Sequence, residues 1–145
     1  MLKDRKRAGR VCIPLRIGTK DVLLEKWYDV DDQLEGFSKT VIPAKLSVLS
    51  LQLQHMGRGA DEIEMLFGTL LSIEGFSLQT LSGFLDAASM RVGNMHDPIA
   101  VIQGVALHVA RTSERPIVAA ALIFEHISGL GGEDEKDLLM TLKGN

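Results

Sequence analysis

The sequence predicts a mainly α fold, a compact bundle of five to seven helices with a short β-strand or hairpin near the N-terminus. Three observations predict it. From Asp61 onward, apolar side chains recur at i, i+3, i+4 and i+7, the stripe of an amphipathic helix. Capping residues and glycine stops punctuate the same half of the chain every dozen or so positions. The apolar fraction is 46 % with only 5 % aromatic, so the core is expected to consist of Leu, Ile, Val, Ala and Met.

The elements follow in order. Residues 1–10 are polar and aperiodic, and read as a mobile basic arm preceding a single helical domain over 11–145. Val11, Ile13, Leu15 and Ile17 alternate with Cys12, Pro14 and Arg16, a period of two that marks a short edge strand. Gly18-Thr19 ends it. From Asp21 to Glu35, Leu24, Trp27, Tyr28 and Leu34 gather at helical spacing, with Gly36 as the stop. The competing reading makes Val22–Tyr28 a hairpin partner of the first strand.

After Pro43, Leu46, Leu49 and Leu53 fit one helical face, although Leu49 to Gln54 also alternates as a strand would. Length and a Leu-, Ala- and Gln-rich composition favour helix. Ile63, Leu66, Phe67, Leu70 and Leu71 stripe the next helix, with Asp61, Glu62 and Glu64 in its first turn. Ser77 caps a third, carrying Leu78, Leu81, Leu85, Ala88 and Val92, and Gly93 stops it. Asp97-Pro98 is a cap followed by proline at the first helical position. Ser113 is the expected cap of the following helix, which tolerates Pro116 in its first turn. Gly129-Leu130 reads as a left-handed terminus. Glu133–Lys143 forms a last helix with acids first and a lysine last. Small residues, Gly104, Ala106, Ala110 and Ala119-Ala120-Ala121, predict that the helices from Pro98 and from Glu114 form the central hairpin.

Charge is unevenly placed. The chain has 145 residues and a formal charge of −3, yet residues 1–20 carry +6 and the rest −9. The arm residues Lys3, Arg5, Lys6, Arg7 and Arg10 are therefore the candidate contact for a polyanion, such as nucleic acid, or for an acidic protein face. Cys12 is the single cysteine, which excludes an internal disulfide and suits a reducing compartment, so a cytoplasmic location is expected. The most apolar stretches, Ile99–Ala110 and Ile117–Ile127, fall short of the ~20 residues a membrane span needs.

Familiar chemistries do not fit the spacing. His55, His96, His108 and His126 show no pair at i and i+4, as zinc sites on helices require. His96-Asp97 is similar to the paired His-Asp of HD-superfamily phosphohydrolases. In that family the pair ends an apolar helix, whereas here Gly93-Asn94-Met95 precedes it and Pro98 follows, so helix capping accounts for Asp97. Asp29, Asp31 and Glu35 lack the glycine and the twelfth-position acid of a calcium loop. Gly129-Leu130-Gly131-Gly132 follows a helix and precedes acids that repel phosphate. Ser77 to Ser82 carries no basic residue, unlike a DNA-recognition helix. No catalytic residue, metal or cofactor is expected.

Broad apolar helix surfaces remain. Val101, Val105, Leu107, Ile123 and Phe124 exceed what one narrow stripe needs, and form the candidate partner face. The leading expectation is therefore an adaptor or assembly protein that binds another protein or itself. Nucleic-acid binding through the arm is the alternative, and a metal-dependent hydrolase using His96 and Asp97 is a minor third.

Overall fold

A computed structural model describes residues 9–28 and 40–144 of the chain. Residues 1–8 of the expected basic arm, the calcium-loop residues and the second half of the predicted 21–35 helix lie outside these, while Gly9 and Arg10, expected in the arm, already belong to the first strand. Within them the architecture is a helical bundle carrying an N-terminal hairpin.

Strands β1 (Gly9–Ile17) and β2 (Lys20–Tyr28) pair antiparallel, with Ile13 opposite Leu24 and Ile17 opposite Lys20. Their two-residue turn places Gly18 first with φ 64°, a conformation open to glycine at no steric cost. The helix expected from Asp21 is thus strand as far as Tyr28. Val22, Leu24 and Lys26 point inward while Asp21, Leu23 and Glu25 point out, a period of two rather than 3.6. Burying Ile13, Leu15 and Ile17 requires a second strand beside them, and that tertiary demand overrides the weak helical spacing. Lys26 is only 4 % exposed. Its ammonium donates to the carbonyls of Phe76 (2.7 Å) and Leu71 (3.4 Å), so the strand is tied to the negative end of a helix.

Among the described residues the helices are α1 (Ile42–His55), α2 (Ala60–Leu71), α3 (Leu78–Arg91), α4 (Pro98–Thr112), α5 (Pro116–Ile127) and α6 (Gly132–Gly144). A 3-10 turn, Val92–Asn94, extends α3. The ambiguous segment after Pro43 is therefore helix. Its end is set by Gly57 at φ 86°, where Gly57 N–H reaches Gln54 O (2.9 Å) and Arg58 N–H reaches Leu53 O (3.0 Å), a Schellman motif. Ser77 caps α3 by accepting the Thr80 N–H at 3.0 Å, and Asp97 caps α4 by accepting that of Ala100 at 3.4 Å.

Three local expectations are corrected. Ser113 does not cap α5; its Oγ accepts the Arg115 N–H at 3.0 Å, turning the chain one step before Pro116 starts the helix. Gly129 has no left-handed φ, because α5 instead ends in short turns, Gly129 N–H to His126 O and Leu130 N–H to Ile127 O. Nor is the α4–α5 hairpin the most closely packed helix pair, since α5 lies more extensively on α3 than on α4. Gly104 lies against Leu139 of α6, 3.1 Å from where its Cβ would stand, while α5 makes its close approach to α3 at Gly83.

Helix contacts run in a circuit, α1 to α3 to α5 to α4 to α2 and back to α1. The hairpin lies on α1 and α2, and α6 lies on α4. Inside, Phe84 stacks obliquely on Phe76 and on Phe124, each at 5.5 Å between ring centres, and Leu46, Leu49, Leu53, Ile63, Leu70 and Ile102 are fully enclosed. Among the described residues no helix is long and apolar enough to cross a membrane.

Lys20 joins the hairpin to the first turn of α2, reaching Asp61 at 2.6 Å and Glu64 at 2.7 Å. Hydrogen bonding from Lys20 holds the Asp61 carboxyl below its usual range. A depressed carboxylate stabilises above its unfolded pKa and loses that contribution as pH falls through the folded value. Acidification below the ordinary aspartate range is therefore expected to loosen the hairpin first. Amide shifts of residues 17–20 and 60–64 followed through an acid titration check this. In Lys20→Met the part of the step due to Asp61 is expected to vanish while that of Asp21, held low by Arg16, remains.

Candidate functional site

The residues expected to form the partner face divide sharply. Val101, Val105 and Phe124 are fully buried, each at 0 % exposure, and Ile123 is half-buried. Only Leu107 is exposed. The apolar excess on α4 is absorbed because α2, α5 and α6 all pack on it. Val101 and Val105 supply core contacts that no partner can reach without opening the fold.

The exposed apolar surface is elsewhere. Helix α5 buries Ala120, Phe124 and Ile127 and turns the opposite side to solvent. That side carries Val118, Ala121, Leu122 and Glu125 at i, i+3, i+4 and i+7, with Val118 53 % and Leu122 62 % exposed. Ile117 lies at its edge, over Gly83. Helix α3 sits between α5 and α1 and shows solvent only a thin strip containing Asp86 and Met90. Helix α1 then contributes Val48 and Leu51 on its outer side.

Two ion pairs close the seams of this layer. Lys45 of α1 reaches Asp86 of α3 at 2.5 Å, and Arg91 of α3 reaches Glu125 of α5 at 3.5 Å. Gln52 adds a hydrogen bond to the Ser89 carbonyl at 3.1 Å. The three helices hold just four charged residues, two of each sign, and these are the four so paired. The result is a neutral, braced face studded with aliphatic side chains. Six of the ten large hydrophobic residues exposed among the described residues stand on it, so exposure here is concentrated instead of scattered. Scarcity of unpaired charge is a property this face shares with interface centres.

Other candidates resolve into structural roles. Asp97 serves α4 as its cap, and His55, His96 and His126 are exposed on separate elements. Among the described residues no group of three His, Cys, Asp or Glu side chains is placed to hold a metal. Cys12 is exposed on β1. Arg10 pairs with Glu25 across the hairpin at 2.8 Å, and Lys3, Arg5, Lys6 and Arg7 lie outside the described residues.

Sequence reading missed the α5 face because Pro116–Ile127 is apolar nearly all round. A helix of that kind does not show which side is buried. The one available signal was the pair of polar residues Glu125 and His126, which stand on the solvent side at its end. Comparison of the chain with protein-family models, with curated proteins and with solved structures gave no match to any of them.

Proposed function

We propose that this chain acts by binding protein through the outer face of α1, α3 and α5, and that its partner there is a second copy of itself. One observation carries the reading: six exposed aliphatic or Met side chains share a layer of three helices whose own four charged residues pair off. A chain of net charge −3 repels its copies over most of its surface. A neutral face is where that repulsion is weakest and apolar burial is greatest. The size is suitable as well. Three helices side by side, spaced about 8–10 Å and each about 20 Å long, make a footprint of the order of the ~800 Å² each partner buries in a standard interface. A two-fold arrangement places the same patch on both copies, so nothing further is needed for complementarity.

Sedimentation equilibrium over a range of protein concentrations tests it. A dimer is expected. Leu122→Lys sets two ammonium groups against the apolar centre and is expected to raise the dissociation constant at least about 100-fold, or about 3 kcal/mol. Met140→Lys, at an equally exposed position on α6, is expected to leave the dimer intact. A wild-type chain that stays monomeric at every concentration removes the proposal, as does a Leu122→Lys variant that dimerises normally.

A further inference from the structure

The geometry points to a second site, independent of the dimer face: the cleft between α2, α4 and α6 binds a small oxyanion, a carboxylate or phosphate group carried on a short apolar body. The cleft encloses about 430 Å³, within the range of small-molecule sites. It shares no residue with the layer of α1, α3 and α5.

Its cations come from three different places in the chain. Arg58 is delivered by the Schellman turn that ends α1, and its Nη2 donates to the His96 carbonyl at 3.3 Å. Arg111 stands one helical turn beyond Leu107 on α4, its Nη2 donating to the Leu142 carbonyl at 3.3 Å. Lys143 closes the far rim from α6. None of the three is in an ion pair among the described residues.

Two carboxylates also line the cleft, but each is committed to a helix start. Glu62 accepts the Gly59 N–H at 3.0 Å and Asp97 that of Ala100. Three basic side chains against two carboxylates leave the cleft positive within a negative chain, and such a concavity draws anions.

Two nitrogens in the wall sharpen the inference. Arg58 Nε and His108 Nδ1 are shielded from solvent and have no hydrogen-bond partner. Buried polar atoms left unmatched are uncommon in folded proteins. A small turn of Arg58 toward the cleft offers its Nε–H to an incoming oxygen, as His108 does in the tautomer that carries its proton on Nδ1, and a planar guanidinium matches a carboxylate or phosphate edge with two parallel bonds. Ile99, Leu107 and Leu142 supply an apolar wall beside these donors, which suits an organic body more than a bare ion.

Proton–nitrogen correlation spectra of the full chain, titrated with inorganic phosphate, phenyl phosphate and benzoate, test this. Saturable shifts are expected in the amides of residues 99–111 and in Arg58 Nε–H, with an organic anion binding more tightly than inorganic phosphate. Preference for phenyl phosphate assigns a phosphate ester, and preference for benzoate assigns a carboxylate. Arg58→Gln and Arg111→Gln are each expected to weaken binding at least about tenfold, while Arg16→Gln, out on the hairpin, leaves it unchanged. Should Arg58→Gln fail to fold, Lys143→Gln on the solvent rim provides the same comparison with a several-fold loss. Shifts that never saturate at millimolar anion, or folded Arg58→Gln and Arg111→Gln variants that bind as wild type, overturn the assignment.

Discussion

Glu135→Ala is expected to lower stability by about 3 kcal/mol, the largest loss among single substitutions outside the apolar core. Glu135 belongs to the first turn of α6, is only 2 % exposed, and reaches across to the start of α4. One carboxylate oxygen accepts the His96 N–H at 2.9 Å and the other accepts the Asp97 N–H at 2.8 Å. The carboxylate therefore sits at the positive ends of two helices at once, and both of its partners are backbone donors that precede Pro98. Removing it leaves two N–H groups without an acceptor and opens a gap where α6 meets the chain before α4. Glu135→Gln keeps the shape but turns an N–H₂ toward one of those donors, so a loss of about 2 kcal/mol is expected there too. At roughly 3 °C per kcal/mol for a chain of this size, thermal unfolding separates both variants clearly from wild type. Asp134→Ala, one position earlier and exposed, is the control, expected within about 0.5 kcal/mol of wild type. A Glu135→Ala protein that melts with wild type refutes the clamp.

That clamp also shows where sequence reading reaches its limit. The acids opening α6 are legible as helix-dipole partners, and Asp97-Pro98 is legible as a helix start. Nothing in the linear order says that the third of four acids reaches back nearly forty positions to complete that start. Local grammar is readable because it depends on neighbours: the caps at Ser77 and Asp97, the stripe from Ile63 to Leu71, and the alternation from Ile13 to Ile17 all appear where expected. What depends on distant partners is not. Asp21 to Tyr28 offers two periodicities, and only the presence of β1 decides between them. The cleft is hidden for the same reason, since Arg58, Arg111 and Lys143 are isolated basic residues until α2, α4 and α6 converge.

The candidate face illustrates a further point. Val101, Val105, Val118 and Leu122 are of the same chemical kind, yet two are core and two are surface. The difference lies in neighbour count. Helix α4 is covered by three helices, whereas among the described residues α5 packs chiefly on α3 and α4 and its outer half is exposed. An excess of apolar side chains therefore becomes exposed surface only on elements that few others cover.

Gly83 decides how closely α3 and α5 approach, and with it the shape of that face. A Cβ added at Gly83 collides with Ile117 Cδ1 and stands 2.9 Å from Cγ1 and 3.3 Å from Cγ2. Two effects oppose each other in Gly83→Ala. Alanine favours a helix interior by about 1 kcal/mol over glycine, while overpacking against a stiff β-branched side chain costs about 1–3 kcal/mol. Overpacking is expected to win, giving a net loss of about 1 kcal/mol for Gly83→Ala and about 3 kcal/mol for the bulkier Gly83→Val. The decisive measurement is a cycle with Ile117→Ala. Once Ile117 is trimmed the collision is gone, only the helix preference remains, and Gly83→Ala is expected to stabilise by about 1 kcal/mol. The sign of one substitution thus reverses with a residue 34 positions away, a coupling of about 2 kcal/mol readable by denaturant unfolding. Equal effects of Gly83→Ala in both backgrounds contradict the contact. Because Ile117 also edges the face proposed for self-association, the same cycle read by sedimentation tests whether the spacing of α3 and α5 sets the strength of such a contact. On that proposal Gly83→Val, which forces the two helices apart, is expected to weaken association even though residue 83 itself offers a partner almost nothing to hold.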